Sequence, residues 1–197
     1  MRIIAGSYKG RRLKTPTWNG VRPTSDRLRE TLFNVLAPRI DGARVLDGYA
    51  GTGAIGLEAL SRGAGAVTFV DRDRRAQRLI AENVALCGIA RSRVIIRSSF
   101  DPLDLFDIVL LDPPYDVRPE DVLLTTARSL APGGFLVLEH ARRQRAPESA
   151  GGLTRTRQIR SGDSVLSFYE MVRLKADPGS VRLKAETTDE TDETYET

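Results

Sequence analysis

Cysteine is almost missing from this chain: Cys87 is the only one in 197 residues. That excludes an internal disulfide framework and suits a reducing cytoplasm. Histidine and tryptophan are each present once, and nothing has the spacing of a metal-ligand set. Long apolar runs are absent too; none approaches the ~20 residues that a membrane helix needs. The N-terminal stretch MRIIAGSYKGRRLKTP carries charge but no apolar h-region, so no signal peptide is expected. What remains is the composition of a soluble globular protein, 41% hydrophobic and 28% charged. A chain of this length has room for one domain and a small appendage.

The charge is unevenly spread. Residues 176–197 hold seven acids against Arg182 and Lys184, which leaves residues 1–175 with 28 basic and 19 acidic side chains, a balance of about +9. The stretch AETTDETDETYET is repetitive, acidic and poor in apolar side chains, so 176–197 is expected to be a disordered acidic tail.

From Arg44 the pattern alternates. RVLDGY, AVTFVD, RVIIRS, DIVLLD and FLVLEH read as short strands. AIGLEALSRG, RRAQRLIAENVALCG and RPEDVLLTTARSLAPGG read as helices that stop at Gly63, Gly88 and Pro132-Gly133-Gly134. Cys87 falls in the second of these helices, as a small core residue. This rhythm implies a parallel sheet covered by helices on both faces. TRTRQIR and SVLSFYEMVRL follow as two further strands, expected to form an antiparallel hairpin at the sheet edge. Residues 44–175 make up this domain. Residues 1–43 form a basic hairpin and helix extension: RIIAGSYKGRRLKTP has strand character, with Gly6 and Gly10 as turn points. In RPTSDRLRETLFNVLAPRI, Ser25 is placed to cap a helix whose apolar face is Leu28, Leu32, Phe33, Val35 and Leu36.

LDGYAGTGAIGLEAL puts Asp47 at the end of the first strand, with Gly51, Gly53 and Gly56 leading into a helix. Glycines let backbone approach a ligand at a helix N-terminus, beyond the carboxyl ends of the strands. Gly51 to Gly56 matches the dinucleotide pattern GxGxxG, which alone does not decide the ligand. Asp47 discriminates. A carboxylate beside the loop would repel a pyrophosphate, and would suit a ligand carrying an ammonium and a sulfonium, as S-adenosylmethionine (SAM) does. Asp71, ending the second strand, is placed to accept ribose hydroxyls of either cofactor; its alternative role is an N-cap for the helix that follows.

A strand that ends in Asp112-Pro113-Pro114-Tyr115 could be a chain reversal alone, because proline ends pairing and fixes φ. It also offers chemistry. The prolines stiffen the turn and leave the Asp112 carboxylate and the Pro113 carbonyl as acceptors, and Tyr115 supplies a face on which a planar base can stack. Two acceptors and a ring suit an exocyclic amine on a nucleobase. Such an amine is a poor nucleophile because its lone pair is delocalised into the ring. Accepting hydrogen bonds from its two protons draws the nitrogen towards a tetrahedral form, ready for in-line displacement on a sulfonium methyl.

Together these motifs carry a resemblance. LDGYAGTGAIGLEALSRGA with DIVLLDPPY resembles a class I SAM-dependent methyltransferase acting on amino nitrogens. With RIIAGSYKGRRL and RPTSDRLRETLFNVL added, the chain resembles the RsmD family, the 16S rRNA guanine-N2 methyltransferases, over roughly residues 1–172. The resemblance implies a Rossmann-like α/β fold with a seven-stranded, mostly parallel sheet whose last strand is antiparallel. It implies SAM as cofactor, with contacts at Asp47, Tyr49, Ala50, Gly51, Gly53, Asp71, Arg72, Ser99 and Phe100. It implies Asp112, Pro113, Pro114 and Tyr115 as the catalytic site for the target amine. The implied substrate is one guanine of 16S rRNA within the small ribosomal subunit or a late assembly precursor, and a monomer is expected. Two departures stand out. Tyr49 and Thr52 replace the usual Phe and Ser, and Ser99 stands where the family usually has an acid near the adenine.

An RNA substrate gives the N-terminal charge a role. Arg2, Lys9, Arg11, Arg12, Lys14, Arg22 and Arg27 are candidates to track phosphates, joined by Arg142, Arg143 and Arg145, with salt-dependent and sequence-blind affinity. His140 is expected to be structural. One rival is a DNA amino-methyltransferase, which would need a larger target-recognition region to flip its base. A second is a protein glutamine methyltransferase, a class that resembles NPPY rather than DPPY. A third is a non-catalytic RNA-binding or assembly factor on a SAM fold, against which the intact Asp47, Gly51, Gly53, Asp71 and DPPY argue.

Overall fold

The computed structural model describes residues 1–18 and 25–171. Helix α1 (Asp26–Leu36) precedes β1 (Arg44–Gly48), α2 (Ala54–Ser61), β2 (Ala66–Val70), α3 (Arg74–Cys87), β3 (Val94–Arg97), β4 (Phe106–Leu111), α4 (Pro119–Thr126) and β5 (Leu130–Ala141). These five strands pair in parallel in the order β3-β2-β1-β4-β5. Successive residues serve opposite faces: Ile108 and Leu110 enter one apolar cluster, Val109 and Leu111 the other. Burial on both faces explains why the strands read as unbroken apolar runs. The strand order reverses between β1 and β4, and a crevice opens there beyond their carboxyl ends.

Among the described residues the sheet has eight strands rather than the seven expected. β8 (Ser164–Met171) pairs antiparallel with β5, β7 (Leu153–Ser161) with β8, and the two-residue β6 (Ser149–Ala150) with β7. The expected edge hairpin is present with its second strand innermost. SVLSFYEM is buried along most of its length and LTRTRQIRS is largely accessible, so the more apolar strand takes the covered place. β5 also begins earlier than expected, at Leu130 rather than Phe135. Pro132-Gly133-Gly134 form an irregular start to that strand, with Gly133 at φ +76° and a register shift against β4.

The N-terminal arm turns back on itself. Ile3 N–H donates to Arg11 O (3.0 Å) and Leu13 N–H to Met1 O (3.1 Å), around one bridge between Arg2 and Arg12. The small hairpin expected is present as this short antiparallel pairing, and part of its remaining backbone bonds to α2. Ile4 and Ala5 N–H donate to the Glu58 carboxylate (2.8 and 3.0 Å), and Tyr8 N–H donates to the Ser61 hydroxyl (2.9 Å). Gly6, at φ +81°, lies so close that a Cβ there would be 1.8 Å from the Ser61 carbonyl oxygen. Ile3 and Leu13 share one apolar cluster with Leu28, Leu32, Phe33 and Leu36 of α1 and with Val45 and Val67 of the sheet; Val35 is only partly buried. Ser25 caps α1 by accepting the Leu28 N–H (3.2 Å). Buried Arg29 donates through Nη2 to Arg2 O (2.9 Å) and to Asp26 (2.7 Å), binding arm to helix. Among the described residues no helix is long and apolar enough to cross a membrane. Arg22, residues 172–175 and the acidic stretch 176–197 lie outside the described residues.

Candidate active site

The chain turns as soon as β1 ends, with Tyr49 at φ +62° and Gly51 at φ +55°. Left-handed backbone costs a non-glycine residue about 1–2 kcal/mol; the Tyr49 ring meets Phe100 edge-on, with centroids 5.9 Å apart. The three glycine amides of this loop are already engaged. Gly51 N–H donates to Asp71 Oδ2 (2.9 Å), Gly53 N–H to Ala50 O (2.7 Å) and Gly56 N–H to Asp47 Oδ2 (2.8 Å). A dinucleotide fingerprint presents such amides to a pyrophosphate; here the protein's own oxygens hold them. A Cβ on Gly56 would lie 2.4 Å from the Phe69 ring, so this glycine serves helix-on-sheet packing.

Asp47 is buried, 2% exposed. Burial raises its pKa to about 7, with the Asp71 charge adding and the Gly56 N–H opposing. A cation beside it would restore its charge. Asp71 accepts the Asp73 N–H at its other oxygen (2.9 Å). Asp73, not Asp71, caps α3, by accepting the Arg75 N–H (2.8 Å). The N-cap alternative for Asp71 is therefore excluded, and its carboxylate stands oriented at the end of β2.

The second motif begins against the first: Asp112 N–H reaches Gly48 O (3.4 Å). Gln144, after β5, donates through Nε2 to the carbonyls of Tyr115 (2.9 Å) and Val117 (3.2 Å), pinning the DPPY turn. The Arg143 guanidinium stands 6.0 Å from the Tyr115 ring centroid. Between the two motifs lies a cleft of about 1030 Å³. Asp47, Tyr49, Ala50, Gly51, Asp71, Arg72, Ser99 and Phe100 line it, together with Asp112, Pro113, Pro114 and Tyr115. Gly53, expected among the cofactor contacts, does not line it; at φ +75° it starts α2 beneath the loop. Asp101, the acid nearest Ser99 in sequence, turns instead to Arg97 (3.3 Å) and the Leu103 N–H (3.0 Å).

Some lining residues carry little signal in the sequence. Met1, Trp18 and Leu28 close the cleft from the N-terminal side. The Thr52 hydroxyl lies 3.6 Å from Met1 Sδ and the Arg75 guanidinium 5.1 Å from the Trp18 ring, so the basic arm is also a wall of the site. Glu139, near the end of β5, lines the cleft at 8% exposure. An acid near a strand's carboxyl end, the pattern of Asp47, Asp71 and Asp112, is present in FLVLEH and points to it. The neighbouring His140 does not line the cleft. Its ring nitrogens meet Ala141 O (3.0 Å) and Ser167 Oγ (2.9 Å), and burial lowers its pKa, as a structural histidine requires.

Arg2, Lys9, Arg11, Arg12, Lys14 and Arg27 are exposed, as are Arg142, Arg143 and Arg145. Arg11 Nη1 donates to Leu86 O (3.0 Å), Lys14 Nζ pairs with Glu82 (2.9 Å), and Arg143 stands over the Tyr115 ring.

Comparisons with known proteins match this arrangement. A family model described as "Conserved hypothetical protein 95" matches residues 1–170. "Putative rRNA methyltransferase YlbH" of Bacillus subtilis is 36% identical over 181 residues, covering 86% of this chain and 98% of that protein. "Ribosomal RNA small subunit methyltransferase D" of Haemophilus influenzae is 44% identical over 123 residues, 58% of this chain and 64% of that protein. Among solved structures, "Putative methyltransferase yhhF from Escherichia coli" superposes with a TM-score of 0.74 at 33% identity, covering 87% of this chain and 97% of that one.

Proposed function

We propose a function from the premise that this chain belongs to the RsmD family: it transfers a methyl group from SAM to the N2 amine of a guanine in 16S rRNA. The substrate is the small ribosomal subunit or a late assembly precursor, and the enzyme acts as a monomer. One observation carries the reading. A loop whose three glycine amides are held by the protein's own oxygens shares its cleft with a strand-terminal DPPY. When bound, SAM supplies a methyl group activated by its sulfonium charge. Asp71 would hold the ribose hydroxyls with the lone pairs left beside the Gly51 and Asp73 amides. Asp47 would serve the ammonium and sulfonium end, whose charge favours the ionised carboxylate. Ser99 and Phe100 would serve the adenine.

Across the cleft, Asp112 accepts hydrogen bonds from the target amine and Tyr115 stacks on the base. Asp112 or water then takes the proton that the amine loses. Arg2, Lys9 and Arg12 contribute affinity for the RNA backbone without choosing the nucleotide. The test is radiolabelled SAM offered with small subunits from a strain lacking the enzyme, beside DNA and protein controls. Label in 16S rRNA is expected. Label only in DNA or protein overturns the reading, and SAM binding without transfer makes the chain a non-catalytic assembly factor.

A further inference from the structure

The last rung of the β4–β5 pairing joins Leu111 to Leu138. One residue further along the chain stand Asp112, just past the end of β4, and Glu139, still within β5. Both of these line the cleft. Glu139 is the more enclosed of the two, at 8% exposure against a half-buried Asp112. On its other side Glu139 pairs with Leu166 of β8, and Ser161 to Ser164 also line the cleft. The cleft therefore offers two neighbouring carboxylates to whatever base presents its amine to DPPY.

The chemistry of the bases says which edge fits. Adenine and cytosine carry a ring nitrogen lone pair next to the exocyclic amine. Guanine carries a ring N–H there, so its edge presents donors side by side. Two acceptors in a row match that edge and repel a donor beside a lone pair.

We propose that Glu139 is the residue that selects guanine, accepting the ring N1–H while Asp112 accepts from the adjacent N2 amine. The inference rests on the guanine-amine reading above and deepens it: Asp112 readies the nucleophile, and Glu139 decides which base may supply it. Both roles follow from neighbouring strand ends.

The test uses small subunits reconstituted with 16S rRNA carrying 2-aminopurine at the mapped target. This base keeps the N2 amine but has a lone pair at N1. The wild-type enzyme is expected to prefer guanine by about ten- to a hundredfold in kcat/KM, the discrimination of one good base-edge contact. Glu139→Gln, whose amide can donate to that lone pair, should reduce the preference to a few-fold with SAM affinity unchanged. Glu139→Ala should lose the preference as well. Comparing the ratio between enzyme forms cancels the difference in intrinsic reactivity of the two amines. A preference that stays at the wild-type value in both variants overturns the proposal, even if turnover falls, because a structural residue would lower both substrates alike. Failure of the wild-type enzyme to methylate guanine in the same assay overturns the functional reading instead.

Discussion

The Gly51 amide donates to the Asp71 carboxylate at 2.9 Å, tying the loop after β1 to the end of β2. The Asp73 amide fixes the other oxygen at the same distance. Asp71→Ala leaves both amides without this acceptor and removes the acceptor proposed for the ribose. Its SAM dissociation constant should rise about ten- to a hundredfold, the effect of losing hydrogen bonds to a charged group. Calorimetry reads this directly, and an unaltered constant would remove Asp71 from the cofactor site.

Asp47 sets a pH dependence. Its pKa is raised from 3.8 to about 7 in the folded chain. Between those values the native state holds a proton that the unfolded chain has released, so stability of the cofactor-free protein falls as pH rises through this window. A bound cation favours the ionised form. SAM affinity should therefore climb with pH over the same range, by up to about tenfold per unit below the folded pKa, and level off above it. Asp47→Asn should flatten both profiles, followed as melting temperature and as calorimetric Kd against pH. Profiles that the variant leaves unchanged contradict the assignment.

Asp112→Ala should keep SAM binding within about twofold while kcat drops by about 10²–10³, the loss expected for one preorganised group acting on the reacting atoms. Asp112→Asn should retain part of the activity, since its amide oxygen still accepts. Full turnover in the Ala variant would reduce DPPY to a chain reversal.

One buried acid gathers two of the arm's amides. Glu58 accepts from the Ile4 and Ala5 amides and from Arg62 Nε (2.8 Å), and is fully buried. Glu58→Ala strips all three donors and should destabilise the protein by about 3–5 kcal/mol, measured by denaturant unfolding. A loss under about 1 kcal/mol, the range of an exposed ion pair, would show that the arm is held elsewhere.

The basic residues should not contribute equally to RNA affinity. Replacing exposed Arg2, Lys9 and Arg12 by alanine together should lower the slope of log K against log salt by about 2–3, one step for each phosphate no longer neutralised. Replacing Arg11 and Lys14, already turned to Leu86 O and Glu82, should change it less. Equal loss per residue in the two sets would contradict this division.

The β-α alternation is legible in the sequence because its signals act within a turn or two. Ser25 caps α1 and Gly88 closes α3 in the left-handed region, as their positions suggest. Competition between neighbours is harder to read. Asp71 and Asp73 lie two residues apart, and only the backbone path after β2 shows that Asp73 takes the cap. The place of β8 inside β7 rests on pairing with β5, a contact between distant parts of the chain. The same limit hides Trp18, whose ring reaches the cleft across the fold. It also hides the adjacency of Asp112 and Glu139, which strand register creates and no local periodicity carries.

Nucleoside analysis by mass spectrometry tests the central claim most directly, applied to 16S rRNA from small subunits treated with SAM and the enzyme. The expected product is N2-methylguanosine at a single position, formed by the wild-type protein and formed about 10²–10³-fold more slowly by Asp112→Ala. N6-methyladenosine, a ribose- or ring-methylated nucleoside, or rRNA left unmodified would contradict it.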